Sequence, residues 1–473
     1  MVEVLSLRTY YSNMLNPTVF RNYDIRGIVP DELTELSAEE IGKAFGTLVQ
    51  SKYGKNIVVG HDNRKTSAPL KDKFVYGLMS TGCNVTDIGL SLTPIIEFLT
   101  FEKEFDAGVI VTASHNPKQF NGFRFCGTKA DPLYGNSIQE IKSTIDTQNY
   151  KKSMGSVTYE DLSEVYVKYM VSNFQFNKRH RVIVDCGNGT SSVISMNIFE
   201  RLNLSVVGMY CNLDGDYPHG TPDPESNLFM QDLAKEVLKQ GKEIGIAYDT
   251  DGDRFGLVDE KGTIYSNDKM LLLFGKYMLK DNPGASVIYD VKCTALLEDK
   301  IKEFGGVPIM MRTGHPYFIE RMKGGALLGG EFSGHIYFSD KYMGFDDGIY
   351  ASLRVIEILD KEDKSLSELM SAFPKMYHTE ELKYPCNDNE KEALIEKIRE
   401  VVKSNLSIVR VDETDGIRAY LNQNTWFLVR ASNTSPYLSL RFESQREKDL
   451  NDALIYIEGL LPKFQRPLEI LYS

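Results

Sequence analysis

Residues 244–254 read IGIAYDTDGDR, a short uncharged run that leads directly into three aspartates at alternate positions. Comparable runs rich in valine and isoleucine recur at residues 56–60, 108–111, 181–184 and 286–289. Continuous apolar runs are typical of strands buried on both faces. Between them lie segments such as 228–240, LFMQDLAKEVLKQ, with apolar residues at helical spacing. This alternation predicts an α/β fold with mostly parallel or mixed sheets.

The chain has 473 residues, too many for a single hydrophobic core, so we expect three or four domains. Polar, glycine-containing or proline-bracketed stretches at residues 147–156, 260–262 and 373–387 indicate the breaks between them. The predicted domains are therefore residues 1–155, 156–262, 263–375 and 376–473.

Composition narrows the classes of function. Hydrophobic residues make up 42% and charged residues 25%, as in soluble globular proteins, and the net charge is -12. That charge disfavours binding to nucleic acids and anionic membranes. No run reaches the length of a membrane span, and the N-terminal segment does not resemble a signal peptide. Six cysteines without a C-x-x-C pair indicate neither a disulfide framework nor a zinc site, so we expect a cytoplasmic protein.

The aspartates of residues 249–254, DTDGDR, predict a cation site. Three carboxylates in one small loop repel each other unless a cation is present, and their hard oxygen ligands select magnesium or calcium. An EF-hand loop would need a glycine where Arg254 stands and a helix where residues 244–248 predict a strand. A tight turn filled with aspartates is the structural alternative.

Residues 108–117, GVIVTASHNP, place Ser114 and His115 directly after a predicted buried strand. Such a pair can also serve as a cap or a turn, and the G-x-S-x-G pattern of hydrolases is missing. A serine that carries phosphoryl groups needs a divalent cation and positive charge nearby. The aspartate loop and residues 121–124, NGFR, supply both and favour phosphoryl transfer.

Two further loops have the composition of a sugar phosphate site. Residues 330–335, GEFSGH, offer a carboxylate, a hydroxyl and an imidazole to sugar hydroxyls. Residues 430–436, RASNTSP, offer a guanidinium, hydroxyls and an amide to a phosphate. Taken alone, each loop could equally be a structural turn. The chain has no G-x-x-x-x-G-K-[ST] loop for ATP, and the glycines of residues 186–190, CGNGT, indicate a tight turn rather than a dinucleotide site.

Taken in order, these segments resemble the α-D-phosphohexomutase superfamily, and most closely its phosphomannomutase/phosphoglucomutase branch. The resemblance spans nearly the whole chain and includes FRNYDIRG at 20–27, DVKCT at 290–294, TGH at 313–315, GFDDGI at 344–349 and LSLRFE at 438–443. It implies three related α/β domains with mixed sheets and a smaller α+β C-terminal domain, arranged around a central active-site cleft.

The resemblance also implies a reaction. Phosphoserine at Ser114 would exchange its phosphoryl group with a mannose or glucose phosphate through a hexose 1,6-bisphosphate, which also serves as activator. Magnesium would be held by Asp249, Asp251, Asp253 and a phosphoserine oxygen. The other implied site residues are Glu331, Ser333 and His335 for the sugar; Arg430, Ser432, Asn433, Thr434, Tyr23, Lys292 and His315 for the non-reacting phosphate; and Arg26 and Arg254 for charge near the transferring group.

One position departs from the family pattern. Arg124 stands where the family usually has lysine, a candidate acid/base. A guanidinium does not deprotonate at neutral pH, so Arg124 is expected to hold charge while His335 or His115 transfers protons. A phosphoglucosamine mutase and a catalytically silent sugar-phosphate-binding relative stay as alternatives. The choice between glucose and mannose, and the oligomeric state, stay open.

Overall fold

A computed structural model describes residues 15–432, 436–467 and 470–472. Within these residues the chain forms four sheets, one after another along the sequence. The first three combine parallel strands with an antiparallel edge, and helices pack on them. The predicted α/β fold with mixed sheets and an α+β C-terminal part is confirmed.

The first sheet contains the strands Ile25–Ile28 (β1), Asn56–His61 (β2), Asn84–Leu90 (β3), Ala107–Val111 (β4), Phe120–Gly127 (β5), Asp131–Pro132 (β6) and Ser156–Tyr159 (β7). Its order is β1-β5-β4-β2-β3-β7, with β6 beside β5. The accompanying helices are Glu35–Lys52 (α1), Ser67–Ser80 (α2), Thr93–Glu102 (α3) and Asn136–Thr147 (α4). Because β7 pairs with β3, this sheet continues past residue 155, where we predicted the first domain to end.

The second sheet has the order β12-β11-β10-β8-β9 and contains Arg181–Asp185 (β8), Ser205–Met209 (β9), Ile244–Tyr248 (β10), Phe255–Asp259 (β11) and Ile264–Tyr265 (β12). Its helices are Ser163–Asn173 (α5), Ser195–Arg201 (α6) and Asn227–Gln240 (α7). The apolar run at 244–248 is a strand buried throughout, and the segment at 228–240 is helical, as predicted. The EF-hand alternative is wrong, because β10 and β11 are antiparallel strands.

The third sheet, of order β14-β13-β15-β16, contains Ser286–Asp290 (β13), Val307–Met311 (β14), Leu328–Gly330 (β15) and Ile336–Phe338 (β16). The helices of this part are Asn267–Asp281 (α8), Leu296–Glu303 (α9), His315–Lys323 (α10), Gly348–Glu362 (α11) and Leu366–Met370 (α12). None of the helices described is long and apolar enough to cross a membrane.

The fourth sheet is antiparallel throughout. Its strands are Tyr377–His378 (β17), Leu382–Pro385 (β18), Arg410–Asp412 (β19), Ile417–Asn422 (β20), Thr425–Ala431 (β21), Tyr437–Ser444 (β22) and Leu471–Tyr472 (β23). Two helices, Lys391–Ser404 (α13) and Glu447–Leu460 (α14), pack on it. This part has its own hydrophobic core, whereas one continuous core joins elements of the first three sheets.

The same connection recurs in the first three sheets. In each sheet one parallel strand is followed along the chain by an antiparallel neighbour, in the pairs β4/β5, β10/β11 and β15/β16. The loops at these turns are residues 112–119, 249–254 and 331–335, and they hold Ser114, the aspartates and His335. Since ligands bind beyond the carboxyl ends of parallel strands, the fold presents all three loops where a ligand would sit.

Candidate active site

The three loops and the fourth sheet line one cleft. Its lining includes most of the predicted site residues, namely Tyr23, Arg26, Ser114, His115, Arg124, Asp251, Asp253, Arg254, Lys292, His315, Glu331, Ser333, His335, Arg430 and Ser432. Asp249 contacts this lining by accepting a hydrogen bond from the Ser114 hydroxyl. Asn433 and Thr434, predicted to bind phosphate, lie outside the described residues. Residues far apart in sequence therefore meet at one place.

The serine loop is held in an uncommon backbone conformation. Ser114 has φ 46°, in the left-handed region that side chains other than glycine seldom adopt. Arg64 Nη2 donates hydrogen bonds to the carbonyl oxygens of Ser114 at 2.5 Å and Asn116 at 2.6 Å. Arg26 Nη1 donates to the carbonyl of Ala113 at 3.2 Å. Two guanidiniums thus fix the loop that presents the hydroxyl, and nothing in the sequence pattern marked Arg64 for this role.

The Ser114 hydroxyl faces the aspartate loop. Its Oγ donates to Asp249 Oδ2 at 2.8 Å and lies 3.2 Å from His115 Nδ1. Burial, together with positive charge from Arg254 and Arg26, lowers the pKa of His115 well below its ordinary value. His115 is therefore neutral and cannot serve as a general acid near pH 7.

The three aspartates have the composition and the geometry to hold a cation. One oxygen from each of Asp249, Asp251 and Asp253 lies within 4.8 Å of the others, and all three residues are buried. Burial and mutual repulsion raise the pKa of Asp249 and Asp253 above their ordinary values. Oδ1 of Asp251 and of Asp253 is buried without a hydrogen-bond partner in the described structure. These unpartnered oxygens fit magnesium, which takes oxygen ligands.

The loop conformation depends on glycine. Gly252 has φ 75°, which lets the chain turn tightly enough to bring alternate carboxylates to one side. Gly348, the first residue of α11, approaches the loop so closely that a Cβ there would lie 2.6 Å from the carbonyl oxygen of Arg254. The start of α11 thereby brings the preceding Asp346 into the site.

Arg124 lies buried among three carboxylates. Nη1 donates to Asp253 at 2.5 Å, and Nη2 donates to Glu97 at 2.8 Å and to Asp346 at 3.0 Å. Asp253 and Asp346 also form, with His335, a group that could hold a metal, and Arg124 supplies positive charge to the same two carboxylates. Glu97 had no recognisable sequence signal, because it lies inside the helix α3. Asp346 belonged to a segment used for the family resemblance but had no assigned role.

His335 lies in a different electrostatic environment from the other two histidines of the cleft. Its Nε2 accepts from Arg254 Nε at 2.9 Å, and its Nδ1 lies 2.7 Å from Asp346 Oδ2. Burial lowers the pKa of His335, but the nearby Asp253 and Asp346 outweigh it and raise the pKa above the ordinary value. Burial lowers the pKa of His315 well below its usual range. His335 is therefore the histidine suited to proton transfer near neutral pH.

Residues 330–335, predicted to bind the sugar, place a buried carboxylate at the cleft wall. Glu331 accepts from the Gly314 backbone at 2.8 Å and from the Tyr337 hydroxyl at 2.8 Å. Each carboxylate oxygen has a second lone pair, so Glu331 can accept further bonds from sugar hydroxyls. Ser333, two residues on, is also buried and lines the same wall.

The predicted phosphate-binding cations already have carboxylate partners. Lys292 Nζ lies 3.2 Å from Glu381 Oε2 and 3.8 Å from Glu225 Oε1. Arg430 Nε donates to Asp415 Oδ2 at 2.8 Å. Burial and the proximity of Glu381 outweigh the attraction of Lys292 and raise the pKa of Glu225 to about 8. No sequence pattern pointed to Glu381, Glu225 or Asp415.

Comparison with known proteins identifies the class. Four successive family models for phosphoglucomutase/phosphomannomutase match the chain: the alpha/beta/alpha domain I at residues 17–152, domain II at 164–262, domain III at 266–377 and the C-terminal domain at 381–454. The chain belongs to the phosphoglucomutase/phosphomannomutase family, and the predicted superfamily and branch are confirmed. Our exact domain boundaries stay predictions.

Particular relatives are similar over nearly their whole length. A phosphomannomutase/phosphoglucomutase of Pseudomonas syringae pv. tomato is 38% identical, over 92% of this chain and 93% of its own. A phosphoglucomutase of Neisseria gonorrhoeae is 35% identical, over 95% of this chain and 96% of its own. The crystal structure of a Burkholderia thailandensis phosphoglucomutase/phosphomannomutase family protein superimposes with a TM-score of 0.88 at 33% identity, covering 96% of this chain and 100% of that one.

Proposed function

We propose that this protein interconverts the 1-phosphates and 6-phosphates of glucose, mannose or both through a phosphorylated Ser114. The observation that carries the proposal is the hydrogen bond of 2.8 Å from the Ser114 hydroxyl to Asp249, beside a cleft that cationic side chains also line. An acyl-transfer serine would instead need an oxyanion hole and a histidine that can take its proton. Burial lowers the pKa of His115, which makes it a weaker base for that role.

In this mechanism the phosphoryl group moves from Ser114 to a sugar hydroxyl. The bond between phosphorus and Ser114 Oγ breaks and its electron pair stays on Oγ, while a bond to the sugar oxygen forms. His335 takes the sugar hydroxyl proton on Nε2 as the hydrogen bond from Arg254 opens, and Oγ takes up a proton from water to become a hydroxyl again. Asp249, Asp251 and Asp253 would hold a magnesium ion, which when bound neutralises charge on the phosphoserine. Arg124 and Arg254 stay protonated throughout and stabilise negative charge near the reacting group.

The product of the first transfer is a hexose 1,6-bisphosphate. It turns over in the cleft, and its other phosphate then returns to Ser114. Lys292, Arg430, Tyr23, His315 and the loop that includes Ser432 would hold the phosphate that does not react, with Asn433 and Thr434 as further ligands. Glu331 and Ser333 would orient the sugar hydroxyls. Added hexose 1,6-bisphosphate would restore phosphoserine that is lost by hydrolysis and so act as activator, in the cytoplasm where sugar phosphates occur.

The test measures the covalent intermediate and the substrate range together. Purified protein incubated with glucose 1,6-bisphosphate should carry phosphate on the tryptic peptide that contains Ser114. Coupled assays with the 1-phosphates of glucose, mannose and glucosamine should show turnover of the first two. Preference for glucosamine 1-phosphate would indicate a phosphoglucosamine mutase instead. A protein that binds these sugars but never becomes phosphorylated would be a silent relative.

A further inference from the structure

Two free cysteines meet at the edge of the second sheet. Cys186 follows β8 and Cys211 follows the neighbouring parallel strand β9, and their sulfur atoms lie 3.1 Å apart. Neither cysteine has a part in the proposed mechanism. Sulfur atoms in a disulfide are about 2.05 Å apart, so an approach of about 1 Å would join this pair.

The two thiols differ in exposure and acidity. Cys211 is half-buried and Cys186 is buried. The hydrogen bond between them lowers the pKa of Cys211 below its ordinary value, and the same contact together with burial raises the pKa of Cys186. The thiolate is the form of cysteine that attacks an oxidant. Cys211 is therefore placed to react first, with Cys186 as the thiol that resolves the product.

We infer that Cys186 and Cys211 form a reversible disulfide when the protein meets a peroxide. The Cys211 thiolate attacks a peroxide oxygen, the O–O bond breaks, hydroxide leaves, and Cys211 becomes a sulfenic acid. The Cys186 sulfur attacks that sulfenic sulfur, and the hydroxyl group leaves with the Cys186 proton as water. Both thiols are oxidised and the peroxide is reduced. A small dithiol reverses the bond by exchange.

The pair is coupled to the aspartate loop through residues 186–190. The backbone nitrogen of Thr190 donates to the carbonyl of Thr250 at 2.9 Å, and a Cβ on Gly189 would lie 3.1 Å from Thr250 Cα. β8 lies between β9 and β10, so a disulfide that draws Cys186 toward β9 draws this loop away from Thr250, which follows β10. We therefore expect the oxidised protein to need several-fold more magnesium, a consequence that rests on the proposed function.

Peptide mapping tests the bond independently of activity. Trypsin cleaves after Arg201, between the two cysteines, so the disulfide joins peptides 182–201 and 202–235. Full-length protein treated with hydrogen peroxide, alkylated and digested without reductant should yield this linked pair, and dithiothreitol should release it. Sulfinic or sulfonic acid on Cys211 without linkage would overturn the proposal.

Variants complete the test. Cys211→Ser and Cys186→Ala should each prevent linkage, while Cys386→Ser, which changes another half-buried cysteine, should leave it intact. Cys211→Ser leaves the fully buried Cys186 unchanged. The half-saturating magnesium concentration should be higher for the disulfide-linked protein than for the reduced protein. Reduction of the disulfide should return it to the lower value. Linkage with an unchanged magnesium requirement would overturn the coupling to Thr250, and loss of linkage in the Cys386 variant would overturn the pairing itself.

Discussion

The two ends of the cleft are organised in opposite ways. At the serine end, Ser114, the aspartates and His335 lie on short loops between strands of sheets that share one continuous core. At the phosphate end, Lys292 and Arg430 come from the third and fourth sheets, and the fourth has a core of its own. The groups that we propose to react are thus set in place without a ligand, while the cations that we propose to bind phosphate are held by carboxylates that a phosphate would have to replace.

This difference indicates that the two ends of the cleft control different kinetic parameters. Groups that are fixed before the substrate arrives lower the barrier to chemistry, because no reorganisation is needed during the reaction. Cations that leave a carboxylate to bind phosphate determine the affinity for substrate. The free energy gained on binding is the difference between the cation–phosphate and the cation–carboxylate interactions. Changes at the serine end should therefore alter kcat, and changes at the phosphate end should alter KM.

The largest expected effect is that of Ser114→Ala. Without the hydroxyl no phosphoserine forms, so kcat should fall by about three orders of magnitude or more. Binding of glucose 1-phosphate, measured by calorimetry, should change little, because the phosphate end is intact. Ser143→Ala, at an exposed serine of α4, is the matched control. A Ser114 variant with even a tenth of normal turnover would contradict the covalent mechanism.

Removal of magnesium also tests the serine end of the cleft. Chelation with EDTA should abolish turnover and added magnesium should restore it. In Asp251→Asn, one charged ligand is lost, so the half-saturating magnesium concentration should rise on the order of tenfold. Asp281→Asn, at an exposed position at the end of α8, should behave like the unchanged protein. Full activity after exhaustive chelation would rule out the cation site.

Arg430→Ala tests the phosphate end. A charge-assisted contact to phosphate contributes about 1.5–3 kcal/mol, so KM should rise by about 10- to 100-fold while kcat changes less. The bisphosphate should also escape from the cleft more often, and it can be detected as released product. Arg446→Ala changes an exposed arginine of the same domain and is the control. An unchanged KM would show that the substrate phosphate binds elsewhere.

The pH dependence distinguishes the roles of arginine and histidine. His335 must be neutral to accept a proton, so kcat/KM should fall at acidic pH as it becomes protonated. Asp346→Asn removes a carboxylate that raises the pKa of His335, so this acidic limb should move to lower pH by about one unit. His115→Asn should leave the limb in place.

Arg124 variants complete that comparison. Arg124→Lys keeps a positive charge among Glu97, Asp253 and Asp346 and should retain substantial turnover. Arg124→Met leaves these buried carboxylates without a cation, so it should slow phosphoryl transfer and lower stability, by about 3–5 kcal/mol. Thermal unfolding measures the loss of stability separately from the slower phosphoryl transfer. If Arg124→Met removed the acidic limb and His335→Asn kept it, our assignment of roles would be wrong.

The smallest expected effect is that of Glu225→Gln. Because the pKa of Glu225 is raised to about 8, its carboxyl group is neutral at pH 7 and becomes charged as the pH rises through that value. The charged form competes with substrate phosphate for Lys292, so KM should rise a few-fold above pH 8. Glu225→Gln should remove this rise, and the exposed neighbour Glu380→Gln should not. A KM without pH dependence in the unchanged protein would contradict the competition.

The sequence by itself determined much of the fold and the outline of the site. Apolar runs such as residues 244–248 predict buried strands, because a strand that is covered on both faces consists of apolar rather than charged residues. The aspartates of residues 249–253 predict a cation because their repulsion is a local property. Ser114, His335 and Arg430 were predicted as site residues the same way, from side-chain chemistry read together with the order of segments along the chain.

Only the tertiary structure decided which groups meet. Ser114 contacts Asp249 across 135 positions, and Arg124 contacts Asp346 across 222. Glu97, Arg64 and Glu225 come close to the site through packing, and no local pattern distinguishes them from surface charges. Cys186 and Cys211 appeared unrelated in the sequence and became neighbours because β8 and β9 pair in parallel. Hydrophobic periodicity depends on the nearest few residues, whereas a pKa depends on every charge that folding brings within a few ångströms.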